Sequence, residues 1–365
     1  MNIDFNKLKP KNLSIVLYIF IGNAELFNFD IFLFILTPAI IILNKNKILN
    51  ISKNPAPLII IMMILAYCAF RAPLINVPYF DDYYLWPLKT IICISLLTTE
   101  NNFKWTTTDT LLLTGICLFL VATGHIEDGR LSSFFGPNML YRILGFLYAF
   151  SIFQYIELTG RKKIITGLIS IFALVSSLAT GSTGAFITVT LLSFAALYRF
   201  SIKAFILTIT ASIFLIFSIE IMDTNFNLYI NDFPTFLSRI FFKLQTETIS
   251  DRSIGLHKIF SLQPNLLGYN HDDLNSIWTD GYQYPHNIYA ELYVFYGYTG
   301  IIATTILTYT LIRSIPFIVS GNAFELVFLV MFIGSTLSGD LSDNFGLIAL
   351  SSIIMMRRPI SLLKL

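Results

Sequence analysis

The sequence predicts an all-α polytopic membrane protein of about twelve transmembrane helices, on three observations. Hydrophobic residues fill 55% of the 365 positions, charged residues only 13%, and the mean hydropathy is +0.71. Soluble domains carry about a quarter charged residues, so this chain falls far outside their range. The apolar residues also gather into Ile-, Leu- and Phe-rich runs separated by short polar breaks. Such runs suit bilayer spans of roughly 20 residues better than one large soluble core.

Lys7, Lys9 and Lys11 precede the first apolar run in the manner of a secretory signal. No small-residue cleavage site follows, and Asn23, Glu25 and Asp30 interrupt the run, so a retained first helix is expected. Hydropathy places spans near 12–25, 30–44, 57–75, 84–98, 107–123 and 139–158. Six more are expected near 164–180, 184–200, 204–221, 288–313, 322–338 and 345–357. An even number of crossings puts both termini on one side. Lys45, Lys47, Lys53, Arg161, Lys162 and Lys163 then fall in short inner loops, which makes that side the cytoplasm. The whole of 1–365 reads as a single integral membrane domain with a large loop on the outer face, 222–287, between the ninth and tenth spans.

That loop is the polar island of the chain. From Asp223 to His286 it holds His257, His271 and His286, three of the four histidines. Phe236, Leu237, Phe241 and Phe242 recur within it at helical spacing, which suits one or two helices on the membrane surface. Cys68, Cys93 and Cys117 all fall inside expected spans, so they read as buried small apolar residues and support neither a disulfide framework nor a metal cluster. A net charge of +2 with no basic-aromatic stripe gives no footprint for nucleic acid. No internal repeat is visible.

Chemistry is expected where polar groups meet the membrane. Tyr284-Pro285-His286-Asn287 closes the long loop just before the apolar run from Ile288. A histidine there lies level with the headgroup of a lipid-anchored substrate and can accept a proton near neutral pH. The alternative is a turn at the start of a helix, with Asn287 or His286 capping orphan amides. Glu291 lies about one helical turn deeper, where an acid is costly unless paired; it could orient His286, bind a sugar hydroxyl or pair with a base on a neighbouring span.

Arg130 and Arg142 bracket the turn Phe134-Phe135-Gly136-Pro137-Asn138, Arg142 being expected in the first turn of the following span. Guanidinium forks match the oxygens of a pyrophosphate and keep their charge, although ordinary lipid headgroups would attract them too. Arg252 follows Asp251 in the long loop, and Arg239 and Lys243 sit four apart on one helical side, as substrate-facing cations or as a salt-bridged surface. Asp81-Asp82, Asp272-Asp273 and the Asp340, Asp343 pair read as solvated turns, as do His125 with Glu127 and Asp128, while His271 reads as a loop residue. Thr180-Gly181-Ser182-Thr183-Gly184 is a tight turn between two spans that lacks the Lys of a P-loop. Backbone amides at the start of the next span could still meet an anion there.

In order, the chain thus has an Arg and a Gly-Pro-Asn turn (Arg130, Gly136, Pro137, Asn138) and a Thr-Gly-Ser turn (Thr180, Gly181, Ser182). Then come a long loop with Arg252 and Gly268, and His286-Asn287 leading to Glu291 and Gly297. This arrangement resembles the O-antigen ligase and O-antigen polymerase superfamily of bacterial integral-membrane glycosyltransferases, over roughly Gly129 to Leu311. One departure is Ser182-Thr183-Gly184, where the family turn often reads Ser-Arg-Gly.

The resemblance implies metal-independent, cofactor-free, inverting glycosyl transfer on the periplasmic face, from an undecaprenyl-diphosphate-linked oligosaccharide to an acceptor hydroxyl. His286 and Glu291 would be its catalytic pair, and Arg130, Arg142, Arg252 and Asn287 would bind substrate or diphosphate. Membrane lipid, a chain-length regulator and a flippase are candidate partners. The polymerase is favoured. A ligase that delivers the glycan to lipid A core is the second reading, and a transporter of polysaccharide or lipid-linked oligosaccharide the third.

Overall fold

Inside a bilayer no water satisfies backbone amides, so a long apolar run must close its own hydrogen bonds as a helix. A computed structural model describes residues 25–26, 29–30, 55–75, 85–98, 105–127, 130–133, 136–210, 250–274, 277, 285, 287–337, 341 and 344–357. The apolar runs among them are helical: α1 (Pro55–Ile75), α2 (Trp86–Thr98), α3 (Thr107–Ala122), α4 (Gly136–Glu157), α5 (Gly160–Ala179) and α6 (Thr183–Phe200). A helical stretch follows over 202–210, then α7 (Ser250–Ser261), α8 (Ile288–Val319), α9 (Ala323–Leu337) and α10 (Phe345–Arg357). Four of these, α4, α5, α6 and α8, are long and apolar enough to cross a membrane, while α3, α9 and most of α1 and α10 are apolar but shorter.

Each of these helices except α7 falls on an expected span. Most of 12–25, 30–44 and 204–221 lies outside the described residues, as do Phe236, Leu237, Arg239, Phe241, Phe242 and Lys243. Two short hairpins depart from the all-helical expectation. β1 (Glu25–Leu26) pairs antiparallel with β2 (Phe29–Asp30), and β3 (His125–Glu127) pairs with β4 (Arg130–Ser132), setting Glu127 opposite Arg130. The stretch around His125 is therefore a hairpin arm where a solvated turn was expected. A second correction concerns Arg142: α4 begins at Gly136, so the Gly-Pro-Asn segment is itself the first helical turn and Arg142 lies in the second, only 2% exposed.

The chain forms two compact units, each built from separate stretches, a finer division than one membrane domain. The unit made of 105–249 and 315–333 is organised around α4, whose residues from Leu140 to Ser151 are all buried against α3, α5 and α6. Gly145 permits the close approach: a Cβ there would stand 3.2 Å from Val330 and 3.3 Å from Thr188. Polar side chains tie these helices together. Ser170 Oγ donates to Ser151 Oγ at 3.0 Å, Thr110 Oγ1 donates to Gln154 Oε1 at 2.8 Å, and the Tyr148 and Ser193 hydroxyls are hydrogen-bonded to each other at 2.6 Å. Such bonds between apolar helices are worth roughly 0.6–2 kcal/mol each. Thr106 and Asp109 form a reciprocal capping box that starts α3.

In the unit made of 1–104, 250–314 and 334–365, α1, α2 and α10 pack on one another. Its defining feature is a break in α8. Gly297 adopts φ 55° and ψ −133°, a conformation that stops the helical ladder and that side chains rarely tolerate. The chain after α7 lies directly against the break: a Cβ on Gly297 would overlap Asn265 O and come within 2.7 Å of Gly268 N. Gly268, at φ 82°, is pressed in turn against the Phe295 carbonyl, and a Cβ on Gly300 would overlap Leu292 O. Glycine is required at these positions because backbone meets backbone.

Gly297→Ala is expected to lower stability by more than about 2 kcal/mol through strain and overlap. Gly115→Ala, where a Cβ would meet nothing within 4 Å, is expected to change it by less than about 1 kcal/mol. Unfolding midpoints of the purified variants in detergent check the pair, and equal midpoints would remove the proposed lock.

Candidate functional site

Two polar clusters contain the residues singled out from the sequence, one in each unit. The first joins turns that lie far apart in the chain. Arg130, on β4, donates from Nε to the Thr180 carbonyl at 3.0 Å and from Nη2 to Asn138 Oδ1 at 3.3 Å. Ser182 Oγ donates to the same Asn138 oxygen at 3.5 Å. Gly181, at φ 60°, carries the turn beneath the arginine stem, and a Cβ there would come within 3.2 Å of Arg130 Cγ. The structure thus brings the Arg130, Gly-Pro-Asn and Thr-Gly-Ser elements together.

The chemistry of this cluster follows from what fixes the arginine. Two directed bonds hold the guanidinium plane, so its orientation is set before any ligand arrives. Asn138 sits in the first turn of α4 and Ser182 is the N-cap of α6, so two helix N-termini converge on one cation. Partial positive charge at those ends adds to the guanidinium and favours an anion. Arg142 is buried deeper along α4.

The second cluster surrounds the start of α8. Asn287 is its N-cap: Oδ1 accepts from the Tyr289 and Ala290 amides at 2.9 and 3.1 Å, while Nδ2 donates to the Thr336 carbonyl at 2.7 Å. The capping role weighed from the sequence is therefore the role this side chain occupies, and it ties α8 to the end of α9. Glu291 is fully buried, and its two oxygens accept from the Leu341 amide at 3.1 and 3.0 Å. Through this amide the carboxylate holds the connection between α9 and α10. Pro285 is buried, and His286 lies outside the described residues. Arg252 falls in the first turn of α7.

Further along, the broken helix gathers side chains that sequence reasoning passed over. Trp86 Nε1 donates to Tyr296 OH at 2.8 Å, with the rings edge to face at 5.8 Å. Tyr67 OH donates to the Leu267 carbonyl at 3.0 Å, Tyr293 OH to the Leu262 carbonyl at 2.6 Å, and Arg71 Nε to the Phe295 carbonyl at 3.4 Å. The available signal was Arg71 itself, a cation inside an apolar run, since intramembrane charge is costly and marks function by default. His271 is the loop residue the sequence suggested, but it is only 6% exposed, and its amide donates to the Ile75 carbonyl at 2.9 Å. The three cysteines are free and buried, and no group of metal-ligating side chains occurs among the described residues.

Compared with protein-family models, curated proteins and solved structures, the chain matches none.

The Glu291 geometry gives a graded expectation. Glu291→Ala strands the buried Leu341 amide and should cost about 1–3 kcal/mol, whereas Glu291→Gln retains an acceptor and should cost less. Chemical denaturation of the two variants measures the difference; Gln as damaging as Ala would show that the negative charge, and not the amide bond, is what matters.

Proposed function

We propose that this chain is an O-antigen (surface polysaccharide) polymerase that joins undecaprenyl-diphosphate-linked oligosaccharide repeat units on the periplasmic face of a bacterial inner membrane. The observation that carries the reading is the arginine-centred cluster of Arg130, Asn138, Thr180 and Ser182, which joins two of the elements on which the family resemblance rests. In this reading His286 removes the proton from the acceptor hydroxyl as that oxygen attacks the anomeric carbon. The bond from that carbon to the diphosphate breaks, the electron pair leaves with the diphosphate, and a single displacement inverts the centre.

Arg130, Arg142 and Arg252 supply the positive charge that stabilises the departing diphosphate, which takes the place of a metal ion in this mechanism. Asn287 acts by fixing the backbone beside His286, and Glu291 by holding the α9–α10 connection against the same helix. No cofactor is called for, because the donor already carries its leaving group. A ligase differs only in its acceptor, the lipid A core. The break in α8 favours a carrier as a second reading, since discontinuous helices are common where transporters bind substrate.

Reconstitution in liposomes with lipid-linked repeat units, with and without lipid A core, tests the assignment. A ladder formed on undecaprenyl diphosphate without core is the expected result. Transfer only with core makes the protein a ligase, and movement of the lipid without transfer makes it a carrier. His286→Ala should lower extension by roughly a hundredfold or more while the protein stays folded, in line with loss of a general base; normal polymer in that variant would remove His286 from the mechanism.

A further inference from the structure

The chain between α7 and α8 carries an apolar tip that the proposed mechanism does not use. From Ile259 to His271 it holds no Asp, Glu, Lys or Arg, although the stretch lies within the polar island. Leu266 and Leu267, at its turn, are 69% and 56% exposed, and Phe260 near the end of α7 is 53% exposed. A single exposed leucine needs no explanation, but two side by side on a turn beside a membrane helix call for a cover.

Two helices fix the level of this tip. Tyr67 OH on α1 donates to the Leu267 carbonyl, whereas the Ile75 carbonyl, at the end of α1, accepts from the His271 amide. Between those contacts the chain climbs α1 by about 12 Å at 1.5 Å per residue. Leu266 and Leu267 therefore sit deeper along the apolar helix than Asp272, whose side chain is 69% exposed just past His271. On α8 the tip lies level with Gly297, against which Asn265 and Gly268 press. From Gly297 to Arg313, the next charged residue of α8, is about 24 Å, less than the roughly 30 Å of a hydrocarbon core. With Arg313 at one boundary of that core, the tip falls just inside the other. Its backbone is equipped for that depth. Tyr293, Tyr269 and Tyr67 donate their hydroxyls to the Leu262, Gln263 and Leu267 carbonyls, and Asn265 Oδ1 accepts from the Leu267 amide at 3.2 Å. Side chains thus satisfy groups that water would serve on an aqueous loop, and tyrosine is the residue favoured where hydrocarbon meets water.

We propose that the segment from Phe260 to Gly268 is a membrane-docking tip, with Leu266 and Leu267 inserted at the hydrocarbon boundary of the bilayer that α1 and α8 cross. Lipid is the occupant of this surface because the tip lies level with apolar helix, carries no charge and has its carbonyls bound from the protein side. Part of the polar island is then a membrane element. The tip ties α7, which carries Arg252, to the membrane surface. The inference requires that the chain spans a membrane and is independent of the proposed glycan transfer.

Spin labels on single added cysteines of the full chain in liposomes test it, the native Cys68, Cys93 and Cys117 being buried. Collision of a label with dissolved oxygen reports lipid, and collision with a water-soluble nickel chelate reports water. Labels on Leu266→Cys and Leu267→Cys should collide with oxygen and lose access to the chelate. Ile302→Cys, at an exposed position of α8 between Gly297 and Arg313, should behave in the same way, whereas Asp272→Cys should keep its access. Access to the chelate at Leu266 and Leu267 equal to that at Asp272 makes the tip an aqueous loop and overturns the proposal. Shielding of both positions from oxygen and chelate alike makes the cover a protein surface, such as a second copy of this chain, and overturns it as well. The readout does not depend on turnover: oxygen access without chelate access upholds the tip even if the reconstituted protein extends no glycan, and chelate access overturns it even if extension is seen.

Discussion

Where Gly268 and Gly297 face each other, backbone packs on backbone, and the rest of the α8 region depends on that contact. A continuous apolar helix would satisfy its own amides and leave nothing for the preceding loop to hold. The break at Gly297 interrupts the ladder, and the loop supplies substitutes: the Tyr269 amide donates to the Val294 carbonyl at 2.7 Å, and Arg71 reaches the Phe295 carbonyl. Tyr67 and Tyr293 then bind loop carbonyls in return. Irregular backbone at membrane depth persists only where protein satisfies it, and here two glycines and three side chains do so.

A second theme is the use of polar groups to fix positions inside an apolar chain. Glu291 holds one amide, Asn287 caps one helix and tethers another, and Arg130 spans two turns. Each is held by directed hydrogen bonds, which makes these residues rigid reference points for whatever chemistry is carried nearby. Several serines and threonines of α3 to α6 act in the same way, their hydroxyls bonding across helices or back to their own carbonyls.

Helices were legible in the sequence because a bilayer leaves few alternatives: the runs predicted near 57–75, 107–123 and 184–200 are helical to within a few residues. The turns at Gly136 and Thr180 could be read as special, but their meeting through Arg130 could not, since contacts across dozens of residues leave no periodic trace. The role of Asn287 could be weighed as a cap because capping is local. The bond of Glu291 to the Leu341 amide could not, because that amide is fifty positions away and backbone carries no sequence signature. Position alone misassigned Arg142 by one turn, since proline is well tolerated in the first turn of a helix and does not mark the residue before it.

The docking of the loop onto the broken helix is open to direct measurement by hydrogen exchange resolved to the Tyr269 amide. That amide lies outside any helix yet bonds to the Val294 carbonyl, so it should exchange as slowly as amides in the middle of α8. Exchange at the rate of an unprotected loop would contradict the lock between Gly268 and Gly297, and with it the arrangement that brings Arg71 to the Phe295 carbonyl.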